Sequence, residues 1–180
     1  MADKLTIAVI FGGCSSEHEV SLQSATAVID SLDTDRINLV QLGITRTGEW
    51  LLYSGGSGHI ADDTWREYYT APAFISPCRN TRGIVCPDGN TIRLDAALPV
   101  LHGKNGEDGT IQGLAALAGI PCVGCGVLAT AVCMDKAVSH DLLVAAGIPK
   151  TQLVALRRAD LEDMAAPERR PAAELTYPMF

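Results

Sequence analysis

Apolar positions fall into short blocks whose spacing changes along the chain. Leu5 to Phe11 is an apolar run broken only by Thr6, and it closes on Gly12-Gly13. A run without polar alternation suits a strand covered on both faces, as in a parallel sheet. Val20 to Leu32 follows, with Val20, Ala25, Val28, Ile29 and Leu32 at broadly helical spacing. Ile37 to Ile44 reads as a second strand, and the strand–helix–strand order predicts a crossover unit with parallel strands. Trp50 to Tyr53 predicts a short strand. Ser54 to Ala71 contains Gly55-Gly56-Ser57-Gly58 and reads as a loop or insertion with a short helix near Trp65. Between Ala73 and Leu94, Pro77, Pro87 and Gly89-Asn90 divide two or three short strands, expected to form a hairpin extension of the main sheet.

The alternating pattern resumes with the apolar strand Ala96 to Leu101, a helix over Gly109 to Ala118 and a short strand over Pro121 to Val123. Leu128 to Cys133 and Val138 to Ala146 predict two further helices, the second stopped by Gly147 ahead of Pro149. Thr151 to Leu156 reads as a strand. Ala159 to Ala173, polar and alanine-rich, predicts a short helix, and Leu175 to Phe180 a final strand. The whole is an α/β chain built on a parallel sheet. Its 180 residues suffice for one domain and part of a second. The boundary falls near Cys133 to Lys136, where the sheet pattern gives way to a new helix–strand series.

Composition narrows the function classes. Apolar residues make up 47 % and charged residues 19 % of the chain, enough to build a core, and the formal net charge is −7. An acidic chain has no electrostatic reason to seek nucleic acid or an anionic membrane. The pairs Arg157-Arg158 and Arg169-Arg170 read as solvated surface. No apolar run approaches the length of a membrane span, and Gly12-Gly13-Cys14 after the first block is not a signal-peptidase site. A cytoplasmic enzyme is the expectation. Among six cysteines, Cys122 and Cys125 form a C-x-x-C pair without a second pair or histidines at ligand spacing, which disfavours zinc. Redox chemistry at this pair stays open as a minor alternative to small buried thiols in a reducing compartment.

Two loops carry candidate chemistry. Gly12-Gly13-Cys14-Ser15-Ser16-Glu17-His18-Glu19-Val20-Ser21 leaves the first strand and opens a helix. It is neither G-x-G-x-x-G nor a phosphate-binding G-x-x-x-x-G-K-S/T loop, and its carboxylates suit an ammonium group. Ser16 and Glu19 fit a capping box, which makes Glu19 structural and leaves Glu17 as the ligand candidate. The second loop, His102-Gly103-Lys104-Asn105-Gly106-Glu107-Asp108-Gly109, again links a strand end to a helix. Asp108 is expected to cap that helix and Glu107 to complement its dipole. His102 sits at the strand end, where ligands gather in open parallel sheets. Lys104 and Asn105 read as solvated loop.

These segments resemble one family. His102 to Gly113 resembles the H-G-x-x-G-E-D-G-x-aliphatic-Q-G signature of D-alanine–D-alanine ligases at every fixed position. Residues 12–21 resemble the family's G-G-x-S-x-E-x-E-V-S segment, and Met134-Asp135-Lys136 its M-D-K element. The resemblance implies a Rossmann-like α/β domain with helices on both faces of the sheet, residues 1–133, followed by the start of an ATP-grasp α+β subdomain, residues 134–180. It implies ATP-dependent joining of two D-amino acids through an acyl phosphate, for peptidoglycan precursor synthesis, with Mg2+ as cofactor. It places Glu17 and His102 in the catalytic site: Glu17 on the ammonium of the first D-alanine, Val20 lining that subsite, His102 orienting the substrate. Lys136 would approach the ATP phosphates, although on spacing alone it is a surface lysine after an N-cap Asp135. The family's Y-P-x-hydrophobic-x-K-P element would begin at Tyr177, so the chain is expected to carry only the N-terminal part, without magnesium ligands, and to be inactive alone. The alternative is a non-catalytic module that binds a D-amino acid or a partner chain. A homodimer is the expected assembly. Residues 43–50 and 102–106 resemble the vancomycin-resistance D-alanine–D-serine subgroup, so the second substrate stays open among D-alanine, D-serine and D-lactate. A plain dinucleotide-binding domain is disfavoured, because G-x-G-x-x-G is absent.

Overall fold

The computed structural model describes residues 4–68, 70–156, 158 and 175. The chain divides into two compact units, Met1–Met134 and Asp135–Phe180.

The first unit is organised around β1 (Leu5–Gly12), followed by α1 (His18–Ser31), β2 (Ile37–Ile44), β3 (Trp50–Tyr53), α2 (Ser57–Ala61), a 3-10 turn (Trp65–Glu67) and β4 (Thr70–Pro72). Three short strands come next, β5 (Phe74–Ile75), β6 (Gly83–Val85) and β7 (Thr91–Arg93), then β8 (Ala96–Pro99), α3 (Thr110–Ala118) and α4 (Val127–Met134). The main sheet has the order β4-β3-β2-β1-β8. β1 runs parallel to β2, with Leu5 opposite Ile37 and Gly12 opposite Ile44, and parallel to β8, with Ile7 opposite Ala96 and Ile10 opposite Pro99. β3 and β4 complete one edge in antiparallel pairing.

Both faces of β1 are covered, which is why its sequence lacks polar alternation. Ala8 and Ile10 pack with Leu42, Ile44 and Ala97, together with Ile111 and Ala118 of α3. Phe11 packs on the opposite side with Leu22 and Ala25 of α1, Tyr53, Ile60 and Trp65. The buried stripe of α1 is His18, Ser21, Leu22 and Ala25, whereas Val20 is 50 % exposed and lies off it. The Phe11 and Trp65 rings meet edge to face at 5.0 Å. Gly43 makes room for that indole, since a Cβ there would lie 2.4 Å from its ring.

The expected hairpin extension is instead a separate three-stranded sheet, β5-β6-β7. Pro72, on the edge strand β4, has no N–H with which to extend the main sheet. The chain turns away there, and Ile75, Ile84 and Leu94 bury themselves on the Ile10 face. The strand expected at Pro121 to Val123 reduces to one bridge, Ala97 to Cys122, because Gly124 (φ 124°) then diverts the chain.

In the second unit, α5 (Lys136–Ala145) begins at Asp135, whose carboxylate accepts from the N–H groups of Ala137 and Val138, both at 3.0 Å. It ends as expected at Gly147 (φ 68°), with bonds from Gly147 N–H to Val144 O and from Ile148 N–H to Leu143 O. Thr151 to Leu156 is not a strand. A strand persists only when a neighbour satisfies its backbone, and no described segment pairs with this one. The helix expected over Ala159 to Ala173 and the strand expected over Leu175 to Phe180 lie outside the described residues.

The aromatic cluster sets a testable stability. Trp65→Ala removes a fully buried side chain and should lower the unfolding free energy by about 3–5 kcal/mol. Gly43→Ala should destabilise by driving a methyl into the same ring. Urea denaturation followed by circular dichroism checks both.

Candidate functional site

β1, β2 and β8 all deliver their carboxyl ends to one edge of the sheet, where the loops 13–17, 45–49 and 100–109 meet. The first and last of these loops are joined directly. The Ser15 hydroxyl donates to the His102 carbonyl at 2.8 Å and accepts from the Glu17 N–H at 3.1 Å. Glu17 occupies the N-cap position of α1 without forming a side-chain cap bond. Its carboxylate lies against Gly103, where a Cβ would come within 2.2 Å of Glu17 Oε2. Gly103 also takes φ 66°, so this position suits glycine on both grounds. Among the described residues no cation pairs with Glu17.

His102 projects from the same place with 30 % of its side chain exposed. Its Nε2 lies 3.1 Å from the Ser24 hydroxyl and its Nδ1 3.9 Å from Glu107 Oε1. The other Glu107 oxygen accepts from the Gly103 N–H at 2.8 Å. Glu107 thus holds the loop backbone and approaches the imidazole, a role beyond the dipole partner expected from sequence. Asp108 accepts from the N–H groups of Asn105 at 2.8 Å and Thr110 at 3.0 Å. Burial alone would raise its carboxyl, but the Thr110 and Asn105 hydrogen bonds outweigh burial and hold it below the usual carboxylate range. Gln112 donates to the Gly106 carbonyl at 2.9 Å. Most of the signature therefore closes the loop on itself, leaving His102 partly free and Lys104 exposed.

Glu17, Val20 and His102 share this edge of the first unit. Val20 is one turn along α1 from Glu17. A cavity of about 330 Å³ opens beside them, floored by Ile44, Leu101 and Ile111 and walled by Cys14 and His102; neither Glu17 nor Val20 lines it. Lys136 belongs to the second unit, where it is exposed at the first turn of α5 with no ion pair among the described residues.

The capping box expected from Ser16 and Glu19 does not form. Glu19 pairs instead with Arg46 at 2.7 Å, which holds its carboxyl below the usual range. A local cap loses here to a partner from the neighbouring hairpin. The thiols are also not the buried set expected: Cys14, Cys78, Cys125 and Cys133 are exposed and Cys86 and Cys122 intermediate. Sequence reasoning missed Ser21 and Ser24. Ser21 is fully buried, accepts from the Gly12 N–H at 2.8 Å and donates to the Val100 carbonyl. Their spacing from Glu17, four and seven residues, is the helical signal that places all three near one face. His18 and Asp63 were missed too, and Asp63 lies in a loop that carries no periodic signal.

Asp108 generates a pH prediction. Its folded-state carboxyl ionises at lower pH than in the unfolded chain, so its contribution is present above the ordinary carboxylate pKa and is lost as pH falls through the lower folded value. The stability difference between wild type and Asp108→Asn should be largest near neutrality and shrink below about pH 4 in pH-dependent urea titrations. Gly103→Ala should destabilise by about 1–2 kcal/mol from its backbone alone, measured the same way.

Residues 6–125 match the family model for the D-ala D-ala ligase N-terminus. A D-alanine–D-alanine ligase of Caldicellulosiruptor bescii is 41 % identical over 98 % of this chain and 49 % of its own length. The crystal structure of the VanG D-Ala:D-Ser ligase from Enterococcus faecalis superposes with a TM-score of 0.85 and 45 % identity, covering 98 % of this chain and 51 % of that one. A Bacillus anthracis D-alanine–D-alanine ligase solved in complex with ATP gives a TM-score of 0.52 and 26 % identity over 90 % of this chain and 45 % of that one. The chain spans about half the length of the relatives it matches. With its sheet order, its two strand-end loops and its sequence in agreement, the chain belongs to the D-alanine–D-alanine ligase family.

Proposed function

We propose that this chain supplies the first-substrate side of an ATP-dependent D-alanine–D-alanine or D-alanine–D-serine ligase acting in peptidoglycan precursor synthesis, and so in cell-wall biogenesis and cell shape. The observation that carries the reading is the Glu17 carboxylate. It is exposed, free of any cation among the described residues and set against Gly103 beside His102. Such a group attracts an ammonium, and a D-amino acid presents one at a fixed distance from its carboxylate.

In this reading Glu17 holds the ammonium of the first D-alanine, Val20 bounds its methyl side and His102 orients its carboxylate. The reaction phosphorylates that carboxylate at the expense of ATP; the amine of the second D-amino acid then displaces phosphate to form the peptide bond. The Ser15, Ser24 and Glu107 contacts fix the His102 loop before substrate arrives, which lowers the entropy lost on binding. Lys136 suits a phosphate contact as an exposed cation at the first turn of α5; the Ala137 and Val138 N–H groups beside it are already taken by the Asp135 carboxylate. No group of three or more His, Cys, Asp and Glu among the described residues could hold a metal ion, so no step is assigned here to magnesium.

The same proposal takes residues 1–133 as the substrate domain and 134–180 as part of an ATP-grasp subdomain. It takes the cytoplasm as the place of action; no described helix is long and apolar enough to cross a membrane. It includes a homodimer, supported by the exposed Leu117 and Leu128 on α3 and α4, 65 % and 78 % accessible.

The test is ADP release by the complete gene product with D-alanine, magnesium and ATP, alongside product analysis with D-alanine and D-serine in competition. Glu17→Gln should raise KM for the first D-alanine by about tenfold or more. Absence of D-alanine-dependent turnover, or an unchanged KM in the mutant, refutes the reading; the competition product decides the second substrate.

A further inference from the structure

Directly behind Glu17 lies a polar pair, a buried histidine and a half-buried aspartate, that the proposed chemistry does not use. His18, the first residue of α1, is 1 % exposed. Its Nδ1 lies 2.7 Å from the Gly13 carbonyl oxygen. A carbonyl can only accept, so Nδ1 carries the hydrogen and donates. The ring also rests on Gly12, where a Cβ would come within 3.1 Å of its Cε1. Its Nε2 faces Asp63 Oδ1 at 3.7 Å. That oxygen is buried and lacks a hydrogen-bond partner, and Asp63 takes the left-handed φ of 55°, uncommon for a residue with a Cβ. Its other oxygen accepts from Arg46 at 3.3 Å.

An apolar ring would plug this space without the cost of burying an imidazole. What the polar pair adds is direction. The Gly12-Gly13 turn is pinned through its N–H groups by Ser21 at 2.8 Å and by the Ile44 carbonyl at 2.8 Å. The Gly13 carbonyl is pinned by His18. The peptide plane at Gly13 sets where residues 14–17 travel, and Glu17 is covalently next to His18. We propose that His18, backed by Asp63, is a positioning residue that fixes the Gly13 carbonyl and thereby holds the Glu17 carboxylate in place for the substrate ammonium.

The proposal rests on Glu17 as the ammonium ligand, so the test separates the two. In the complete gene product, His18→Phe keeps the ring and loses the donor, whereas His18→Asn offers an amide N–H toward Gly13. His18→Phe should raise KM for the first D-alanine about tenfold with kcat within about threefold, while His18→Asn stays within about threefold of wild type in both. Because His18 acts through Glu17, adding His18→Phe to Glu17→Gln should change KM by less than about threefold. Fully additive losses in the double mutant overturn the proposal, since a general structural role would multiply. An unchanged KM in His18→Phe, beside a raised KM in Glu17→Gln, overturns it while leaving the Glu17 reading intact. An unchanged KM in Glu17→Gln removes both. If His18→Phe does not fold, Asp63→Asn decides: Asn tolerates the left-handed backbone, and this variant should raise KM about threefold or more with its melting temperature unchanged. An unchanged KM there is the overturning result.

Discussion

The in-register parallel pairing of β1 with both β2 and β8 is the constraint on which the site depends. Parallel strands carry all their carboxyl ends to one edge, so two loops about 90 residues apart in sequence leave the sheet side by side. The pairing is enforced by burial. Ala8 and Ile10 face one apolar layer and Phe11 the other. A slip of one residue would exchange these faces and turn Gly12 away from Ile44. Glu17 reaches Gly103 because the sheet beneath them cannot slide.

On this rigid edge the polar groups divide into those that hold backbone and those left over. Ser15, Ser21, Glu107, Asp108 and Gln112 each bond a main-chain group of the two loops. Their partners are fixed donors and acceptors, so little conformational freedom remains for a ligand to remove. Glu17 and Lys104 carry charge outward and take no partner in an ion pair among the described residues. His102 stands between the two groups, tethered to Ser24 and near Glu107 yet partly open. On the proposed reading, in which the site binds a small zwitterion, this combination is needed. The scaffold has to be satisfied internally, or its own carboxylates would compete for the ammonium.

Much of the central sheet was legible from periodicity. Ile37 to Ile44 and Trp50 to Tyr53 have the bounds their sequence predicts, because apolar blocks closed by turn residues leave little room for error. Residues 73–94 were legible as strands but not as a separate sheet. That outcome turns on Pro72 ending the edge and on a core face wide enough to need a second cover, neither of which is a local pattern. Thr151 to Leu156 failed as a strand for a related reason: alternation records a face, and a strand also needs a neighbour. In the site, Glu17 was singled out once Ser16 and Glu19 had been set aside as a capping box. That box does not exist, since Arg46 captures Glu19 from across the hairpin. The proposed role of Glu17 therefore rests on its contact with the Gly103 loop and owes nothing to a capping role for its neighbours.

The signature His102 to Gly113 also changes meaning once it is folded. Read as sequence, its two acids serve the helix that follows, as cap and dipole partner, and only His102 points to chemistry; the fold shows what the other positions do. In three dimensions Gly106 exists because a Cβ would strike Leu101, Asp108 because two N–H groups converge on it, and Gln112 because the Gly106 carbonyl needs a donor. Each of these residue types follows from a backbone requirement that any ligand held at this edge would impose. The motif is thus specific for a shape, and chemistry enters only at the few side chains the shape releases. The first loop follows the same logic, with Ser15, Ser21 and buried His18 setting the path, Glu19 held by Arg46, and Glu17 left facing outward without a cation partner among the described residues.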